Sequence, residues 1–160
     1  VLNSDDIDKK IKRLSYQIIE KNITEKELIL VGIKPNGNYL SKKIISFINE
    51  FSNIEISLYD MEIDKKKLLF KNCFPELKHK KINKKVVIFI DDVMNSAGTI
   101  MYGINKMLSY YPRDIQIGVL IERTYKNFPL SANFKGLELS TSEYEHVEVI
   151  LNKSSKVIIT

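Results

Sequence analysis

The sequence has little cysteine and histidine and no long apolar run, and each shortage excludes a class of protein. Its single cysteine, Cys73, cannot form an internal disulfide, which fits a reducing cytoplasm. The two histidines, His79 and His146, are far apart in sequence, and no cysteine–histidine cluster has zinc spacing. No apolar run approaches the ~18 residues of a membrane helix, and the charged, periodic first residues are not a secretory signal. We therefore expect a cytoplasmic protein that does not enter a membrane.

Arginine is scarce as well, although the chain is basic. The formal net charge is +5, from 25 basic and 20 acidic residues, and only three of the basic residues are arginines, Arg13, Arg113 and Arg123. Such a charge suits a ligand that carries phosphates. Lysines without arginines or stacking aromatics are a weak nucleic-acid signal, so a solvated loop explains the dense lysine segment better than a surface that guides a polyanion. That segment contains Lys65, Lys66, Lys67, Lys71, Lys78, Lys80, Lys81, Lys84 and Lys85.

The hydrophobic pattern predicts helices that alternate with strands in one domain of 160 residues. Helical spacing predicts helices at 4–22, with Ser4 as its cap, at 38–51 and at 99–110. The apolar run at 85–90 is the most hydrophobic and is predicted to be the central strand. This order is typical of an α/β fold with a mostly parallel twisted sheet and helices on both faces, whose ligands bind at the carboxyl ends of the strands. The other predicted strands are 27–33, 54–60, 115–121, 137–140, 146–151 and 156–160.

Two neighbouring acids, Asp91 and Asp92, directly follow that central strand. Capping of the loop explains one aspartate well but explains two poorly. Residues 95–99 then lead into a helix with small side chains, so their amides form a nest that favours a phosphate. The loop is neither a Walker motif nor a dinucleotide fingerprint. A sugar phosphate would satisfy both ends of the segment, with its phosphate in the nest and its ribose hydroxyls on the carboxylates.

Three segments resemble, in order and with the right spacing, the type I phosphoribosyltransferase family. The stretch VVIFIDDVMNSAGT resembles that family's ribose-5-phosphate loop. The stretch LILVGIKPNGNYLSKKI is similar to the pyrophosphate-loop region of the PyrR subgroup, the pyrimidine-operon attenuator and uracil phosphoribosyltransferase proteins. Residues 117–151 resemble the subgroup's last core strand and C-terminal hood. The resemblance implies one domain over 1–160, with a core of about 1–125 and a small hood of short strands from about 60–81 and 126–160.

The resemblance also implies a chemistry. Such a pentosyltransferase moves ribose 5-phosphate from phosphoribosyl pyrophosphate to a pyrimidine-type base, uracil being the first expectation, and releases pyrophosphate. Mg²⁺ is held mainly by the donor and by waters, with the two aspartates as its candidate protein ligands. Relatives form dimers or larger assemblies, which implies a homo-oligomer. The implied residues are Asp91 and Asp92 for the ribose hydroxyls and catalysis, Asn95, Ser96, Ala97, Gly98 and Thr99 for the 5′-phosphate, Lys34, Pro35, Asn36 and Gly37 for pyrophosphate, and Glu122, Arg123 and Phe134 for the base or hood.

The sequence departs from the family pattern at five positions. Ala97 and Gly98 stand where the phosphate loop often has glycine and a basic residue, and alanine tolerates a positive φ poorly. Asn36 stands where the subgroup has an arginine. Asn95 replaces the aspartate base of purine-salvage relatives, and an amide cannot act as that base. Glu122 replaces their base-reading lysine, so a purine 6-oxo substrate is disfavoured.

The peptide bond before Pro35 carries a separate expectation. Family members often have a cis peptide in this loop, and the cis isomer costs little only before proline. We therefore expect the Lys34–Pro35 bond to be cis when ligand is bound.

Two other functions stay open on the sequence. The chain could be a non-catalytic, PyrR-like regulator that keeps the nucleotide site as a sensor and binds RNA, which the net charge permits and the scarcity of arginine disfavours. It could instead be a scaffold without turnover, which would leave Asp91 and Asp92 unexplained. We rank the enzyme first, modestly ahead of the RNA-binding regulator.

Overall fold

The computed structural model describes residues 1–62, Phe74 and 77–160. Most of the 60–81 segment assigned to the hood lies outside these described residues, as do Cys73 and the lysines at 65–67 and 71. Among the helices of the described part, none is long and apolar enough to cross a membrane.

A parallel sheet of five strands forms the centre of the molecule. Its strands are β1 (Glu27–Ile33), β2 (Glu55–Met61), β3 (Val86–Met94), β4 (Asp114–Arg123) and β5 (Phe134–Leu139). Their spatial order is β2-β1-β3-β4-β5, so the most hydrophobic strand, β3, is central as predicted. The edge strand β2 is only partly buried along most of its length, which explains why its sequence alternates while that of β1 is continuously apolar.

Helices cover both faces of this sheet. They are α1 (Ser4–Lys21), α2 (Asn36–Phe51), α3 (His79–Ile82) and α4 (Gly98–Met107), the last followed by a 3-10 turn at Leu108–Tyr110. On one face, α1 and α2 form a core with the sheet that includes Ile11, Leu40 and Ile88. On the other face, Ile100 of α4 packs in a core with Phe89. These layers confirm the predicted α/β fold.

The cap of α1 differs from the expected one. Asn3, not Ser4, is the N-cap residue: Asn3 Oδ1 accepts a hydrogen bond from Asp6 N at 2.9 Å, and Asp6 Oδ2 accepts one from Asn3 N at 3.2 Å. This reciprocal capping box satisfies two amides, whereas a serine cap satisfies one. Ser4 is consequently the first residue of the helix.

The fifth strand extends the main sheet beyond residue 125, the expected end of the core. β5 pairs in parallel with β4, with Ile121 opposite Leu137. Phe134 is buried in the core under α1 and α2, and Leu137 packs against it. These apolar side chains are covered only if the strand joins the sheet, which is why residues 134–139 do not belong to a separate hood.

A two-stranded antiparallel hairpin follows, formed by β6 (Val147–Ile150) and β7 (Lys156–Ile159). Its valines are buried in the same core as α1 and α2. The start of the chain closes one side of it, because Val157 N donates to Leu2 O at 3.0 Å. This hairpin is the strand-containing part of the predicted C-terminal hood.

The start of α2 lies directly against β3 because Gly37 has no side chain. A Cβ at this position would lie 2.4 Å from Ile90 O and 3.2 Å from Asp91 Cα. Gly32, near the end of β1, is similarly confined, since its Cβ would lie 2.8 Å from Asn38 Cα. These contacts bring the turn at 34–37 beside the end of β3.

Replacing Gly37 by alanine should destabilise the protein and move α2 away from β3. The added Cβ would meet backbone atoms, so we expect the free energy of unfolding to fall by about 3 kcal/mol in urea denaturation. Gly98→Ala is the matched control, because its Cβ would first meet a Phe128 ring atom and Ser96 Oγ at 3.3 Å. We expect this control to change stability by less than about 1 kcal/mol. Equal losses in the two variants would contradict the close-contact explanation.

Candidate functional site

A cavity of about 300 Å³ opens at the carboxyl ends of β1 and β3. Residues 33–36 and residues 91–100 line it. The parallel pairing of the two strands places these segments at the same edge of the sheet. The structure therefore brings together the residues predicted for ribose, 5′-phosphate and pyrophosphate. Gly37 is outside the lining and contacts the end of β3 instead.

Residues 95–99, called the phosphate loop below, turn into the N-terminal end of α4. Ala97 is the N-cap residue and has the left-handed conformation that favours glycine, with φ 67° and ψ 7°. First-turn amides have no acceptor within their own helix. Gly98 N donates to Ser96 Oγ over a long distance of 3.3 Å. Together with the positive end of the helix dipole, these amides can bind one phosphate group.

The two aspartates are half-buried beside this loop and are held by amide donors. Asp92 N donates to Asp91 Oδ1 at 2.8 Å, and Val93 N donates to Asp92 Oδ1 at 2.7 Å. Asn36 Nδ2 donates to Asp92 Oδ2 at 2.7 Å. A carboxylate has about four acceptor sites and can accept from a sugar hydroxyl beside such amide donors.

The turn at 34–37 supplies one cation to the cavity. Lys34 Nζ lies 2.9 Å from Glu62 Oε1 and 3.2 Å from Asp60 Oδ2. The hydrogen bond to Glu62 and then that to Asp60 raise the pKa of Lys34 above its ordinary value. The Lys34–Pro35 peptide bond is cis, the isomer that we expect with ligand bound. Lys34 is therefore a protonated group that a phosphate ligand would have to share with two acids.

Arg123 does not line the cavity but joins the phosphate loop to the residues that precede the hairpin. Its guanidinium is almost fully buried, and Nη1 donates to Asn95 Oδ1 at 3.0 Å. Nε donates to Thr141 Oγ1 at 2.7 Å, while Nη2 donates to Ser142 O at 2.7 Å and Glu145 O at 2.9 Å. Sequence reasoning missed these partners, because they lie in a loop that carries no recognisable motif.

Glu122 is fully buried and also lies outside the cavity lining. Its carboxylate accepts hydrogen bonds from Lys135 Nζ at 2.6 Å, Ala132 N at 2.8 Å and Lys126 Nζ at 3.0 Å. Burial acts to raise the pKa of Glu122, but the bonds from Lys135, Ala132 and Lys126 outweigh it, so this pKa lies below its ordinary value. The acid anchors the loop between β4 and β5, and three donors already occupy its oxygens.

Phe134 is not brought to the cavity either. It is 3% exposed, pairs opposite Gly118 in the sheet and packs in the core under α1 and α2. Of the three residues predicted for the base or hood, Arg123 is the one whose side chain donates a hydrogen bond to the cavity lining, at Asn95. The loop between β4 and β5 contacts the phosphate loop through its backbone, because Asn127 N donates to Ser96 O at 3.1 Å.

A parallel α/β sheet with an acidic pair and a phosphate loop at its carboxyl edge defines a class of protein that binds nucleotide-type ligands. The family model for the phosphoribosyl transferase domain matches residues 1–153. The chain belongs to this phosphoribosyl transferase domain family, as the resemblance of its motifs indicated.

Curated relatives and solved structures agree with this membership. The bifunctional protein PyrR of Fusobacterium nucleatum is 35% identical over 161 residues, covering 96% of this chain and 90% of the relative. That of Clostridium botulinum is 32% identical over 157 residues, covering 91% and 87%. A hypoxanthine-guanine phosphoribosyltransferase from Bacillus anthracis has the same fold, with a TM-score of 0.76 at 16% identity over 91% of this chain and 84% of that one. The hypoxanthine phosphoribosyltransferase of Trypanosoma cruzi gives 0.74 at 14% identity, over 87% and 80%.

Replacing Glu122 by glutamine should destabilise the protein in a pH-dependent way. At neutral pH we expect the free energy of unfolding to fall by about 2 kcal/mol, because the buried carboxylate no longer accepts charged hydrogen bonds from the partly exposed Lys126 and Lys135. The folded pKa of Glu122 lies below its ordinary value of 4.5, so its stabilisation is complete above that value and disappears as the pH falls through the folded pKa. In urea denaturation, the difference in free energy of unfolding between wild type and variant should therefore shrink as the pH is lowered from about 7 to about 3.

The matched control for this experiment is Glu138→Gln. Glu138 pairs with the same Lys135, but its side chain is 50% exposed. We expect this variant to lose less than about 1 kcal/mol. A pH-independent loss in the Glu122 variant would show that its charge is not what stabilises the loop.

Replacing Ala97 by glycine should relieve the left-handed backbone of the phosphate loop. Relief of the strain stabilises the folded state by about 1–2 kcal/mol, and the added freedom of the unfolded chain costs about 0.4–1 kcal/mol. We therefore expect the free energy of unfolding to rise by about 0.5 kcal/mol, measured by thermal or urea unfolding. Ala132→Gly is the control, because Ala132 is the chain's other alanine, is similarly buried and has no positive φ. That variant should lose about 0.5–1 kcal/mol. Losses of similar size in both variants would mean that position 97 carries no strain.

Proposed function

We propose that this protein is a phosphoribosyltransferase that transfers ribose 5-phosphate from phosphoribosyl pyrophosphate to a pyrimidine-type base and releases pyrophosphate. The observation that carries the proposal is the cavity in which Asp91 and Asp92 lie beside the phosphate loop and opposite residues 34–36. Family membership supports the transferase chemistry. The resemblance to the PyrR subgroup supports the pyrimidine, with uracil as the first candidate.

The two halves of the cavity match the two ends of a ribose 5-phosphate. The 5′-phosphate would accept hydrogen bonds from the first-turn amides of α4 and from the hydroxyls of Ser96 and Thr99. The ribose 2′ and 3′ hydroxyls would donate to the carboxylates of Asp91 and Asp92. In this arrangement the anomeric carbon would face residues 34–36, where a pyrophosphate would lie.

Mg²⁺ fits this site as a cation that arrives with its ligand. Among the described residues, no group of three or more histidine, cysteine, aspartate or glutamate side chains could hold a metal ion. Asp91 and Asp92 offer the oxygen ligands that Mg²⁺ prefers, and the hydroxyls and phosphates of the donor with waters would complete its coordination. When bound, the cation would neutralise charge on the pyrophosphate.

The residues of the chain act mainly by positioning and by electrostatics. A base nitrogen attacks the anomeric carbon, the bond to pyrophosphate breaks with its electron pair, and the nitrogen's proton passes to solvent. Because the transition state resembles an oxocarbenium ion, the carboxylates of Asp91 and Asp92 would stabilise its positive charge. Lys34 would exchange its ion pairs with Glu62 and Asp60 for one with the pyrophosphate leaving group.

The arginines favour this function over the RNA-binding regulator. Arg13 Nη2 donates to Gly136 O at 2.7 Å, and Arg113 pairs with Glu25. Arg123 is buried among backbone and side-chain acceptors. All three arginines of the chain therefore have partners within it, and RNA surfaces normally use arginine for phosphate and base contacts.

We also propose a homodimer or a larger homo-oligomer, which the resemblance to the family supports. Tyr16 of α1 and Phe51 of α2 are 43% and 48% exposed, and their ring centroids lie 5.1 Å apart. Exposed aromatic groups of this kind suit a subunit contact. Sedimentation equilibrium of the protein measures the assembly directly.

Calorimetric titration with phosphoribosyl pyrophosphate and Mg²⁺ tests the proposed function. The wild type should bind the donor, and Asp91→Asn/Asp92→Asn should bind it at least about a hundredfold more weakly, because the ribose hydroxyls lose two charged acceptors. Asp5→Asn/Asp8→Asn removes the same charge from exposed positions on α1 and should leave the affinity unchanged. Absence of binding by the wild type would refute a donor site in this cavity.

Pyrophosphate release by the same protein samples tests whether the protein turns over and which base it uses. Wild-type protein with the donor and Mg²⁺ should release pyrophosphate when uracil is added and should not do so with hypoxanthine. Binding of the donor without pyrophosphate release for any pyrimidine would instead indicate the nucleotide-sensing regulator. In that case, RNA affinity with a steep salt dependence would support it.

A further inference from the structure

Asn36 contacts two separate elements with one amide group. Its Nδ2 donates to Asp92 Oδ2 at 2.7 Å and to Val149 O, in β6, at 3.0 Å. An amide nitrogen carries two hydrogens, so these contacts use every donor of the side chain. Asn36 is the first residue of α2, and the neighbouring Gly37 lies directly against β3. The backbone contact of Gly37 therefore brings the amide of Asn36 within reach of Asp92.

We propose that Asn36 is a positioning residue that orients the Asp92 carboxylate toward a ribose hydroxyl and attaches the β6–β7 hairpin to the same site. The inference rests on the proposed function, since it assigns to Asp92 a sugar hydroxyl. This positioning role differs from the expectation that Asn36 binds pyrophosphate. With both hydrogens committed, the side chain has only its carbonyl oxygen left, which is an acceptor and does not bind phosphate oxygens.

The geometry around Asp92 shows what Asn36 adds. Val93 N donates to Asp92 Oδ1 at 2.7 Å, so this amide holds one carboxylate oxygen and Asn36 holds the other. The carboxylate cannot rotate without breaking one of the two bonds. Without Asn36, Asp92 loses this side-chain donor, and of the two bonds only the one from Val93 N remains. A preoriented acceptor binds more tightly than a rotating one, because less freedom is lost on binding.

The contact with Val149 extends the same restraint to the hairpin. In the described sheet topology β6 pairs only with β7. Its valines pack in the core with α1 and α2, and the bond from Asn36 fixes its backbone next to Asp92. The hairpin and the ribose end of the cavity therefore share one donor group.

A double-mutant cycle with two probes tests this role. Calorimetric titration with ribose 5-phosphate and with inorganic phosphate is made on the wild type, Asn36→Ala, Asp92→Ala and the double variant. We expect Asn36→Ala to weaken ribose 5-phosphate about tenfold and to leave inorganic phosphate within about twofold, because phosphate uses only the loop at 95–99. In the Asp92→Ala background, the same substitution should change ribose 5-phosphate affinity by less than about twofold.

Two further variants separate positioning from folding. Asn38→Ala is the matched control, because Asn38 is also an asparagine in the first turn of α2 but donates to Asp60. It should leave the affinity for ribose 5-phosphate unchanged. Asn36→Asp keeps the size of the side chain, loses its donors and places a carboxylate beside Asp92. Asn36→Asp should bind ribose 5-phosphate at least as weakly as Asn36→Ala does. If Asn36→Ala does not fold, the Asn36→Asp variant is used in its place.

The outcomes distinguish the inference from the proposed function. If wild type does not bind ribose 5-phosphate, the proposed function is refuted and the role of Asn36 with it. If the wild type binds ribose 5-phosphate and Asn36→Ala binds it equally well, only the positioning role is refuted. The same holds if the substitution lowers this affinity by the same factor in the wild type and in the Asp92→Ala background. A parallel loss of inorganic phosphate affinity would also overturn it, since the substitution would then have distorted the whole cavity.

Discussion

The contact between Gly37 and the backbone of β3 is the constraint on which the site depends. Parallel pairing aligns the ends of β1 and β3, but a side chain at position 37 would keep the start of α2 away from Ile90 and Asp91. With hydrogen there, residues 33–36 and 91–100 form one cavity. The same contact places Asn36 within reach of Asp92. A missing side chain thus determines how two loops from different parts of the chain meet.

Charges in and around this site are stabilised by donors of different kinds. The adjacent acids Asp91 and Asp92 receive backbone amides, neutral donors that stabilise a carboxylate without pairing it with a cation. Glu122 is fully buried and receives two ammonium groups and one amide, which use its oxygens inside the protein. The first arrangement suits binding and the second suits structure. Acidic residues on neighbouring strands therefore differ in role because their donors differ.

The scarcity of arginine changes how the cavity is built. Where the related subgroup has an arginine, Asn36 connects Asp92 with the hairpin, and Lys34 is the charged group on that side of the cavity. Arg123 is used for internal bonds that hold the phosphate loop to residues 141–145. The cavity consequently depends on backbone amides and on a neutral side chain at the position where the family pattern predicts an arginine.

The sequence by itself determined the order of strands and helices, the central place of β3 and the motif from Asp91 to Thr99. Each of these depends on residues close together in the chain, because hydrophobic periodicity and runs of small side chains are local sequence patterns. Only the tertiary structure decided that β5 joins the main sheet, that Phe134 is core and that Glu122 is an internal anchor. It also decided the partners of Asn36 and Arg123, whose contacts Val149 and Asn95 lie 113 and 28 positions away. No local pattern records such pairs, because folding brings them together through a backbone contact elsewhere.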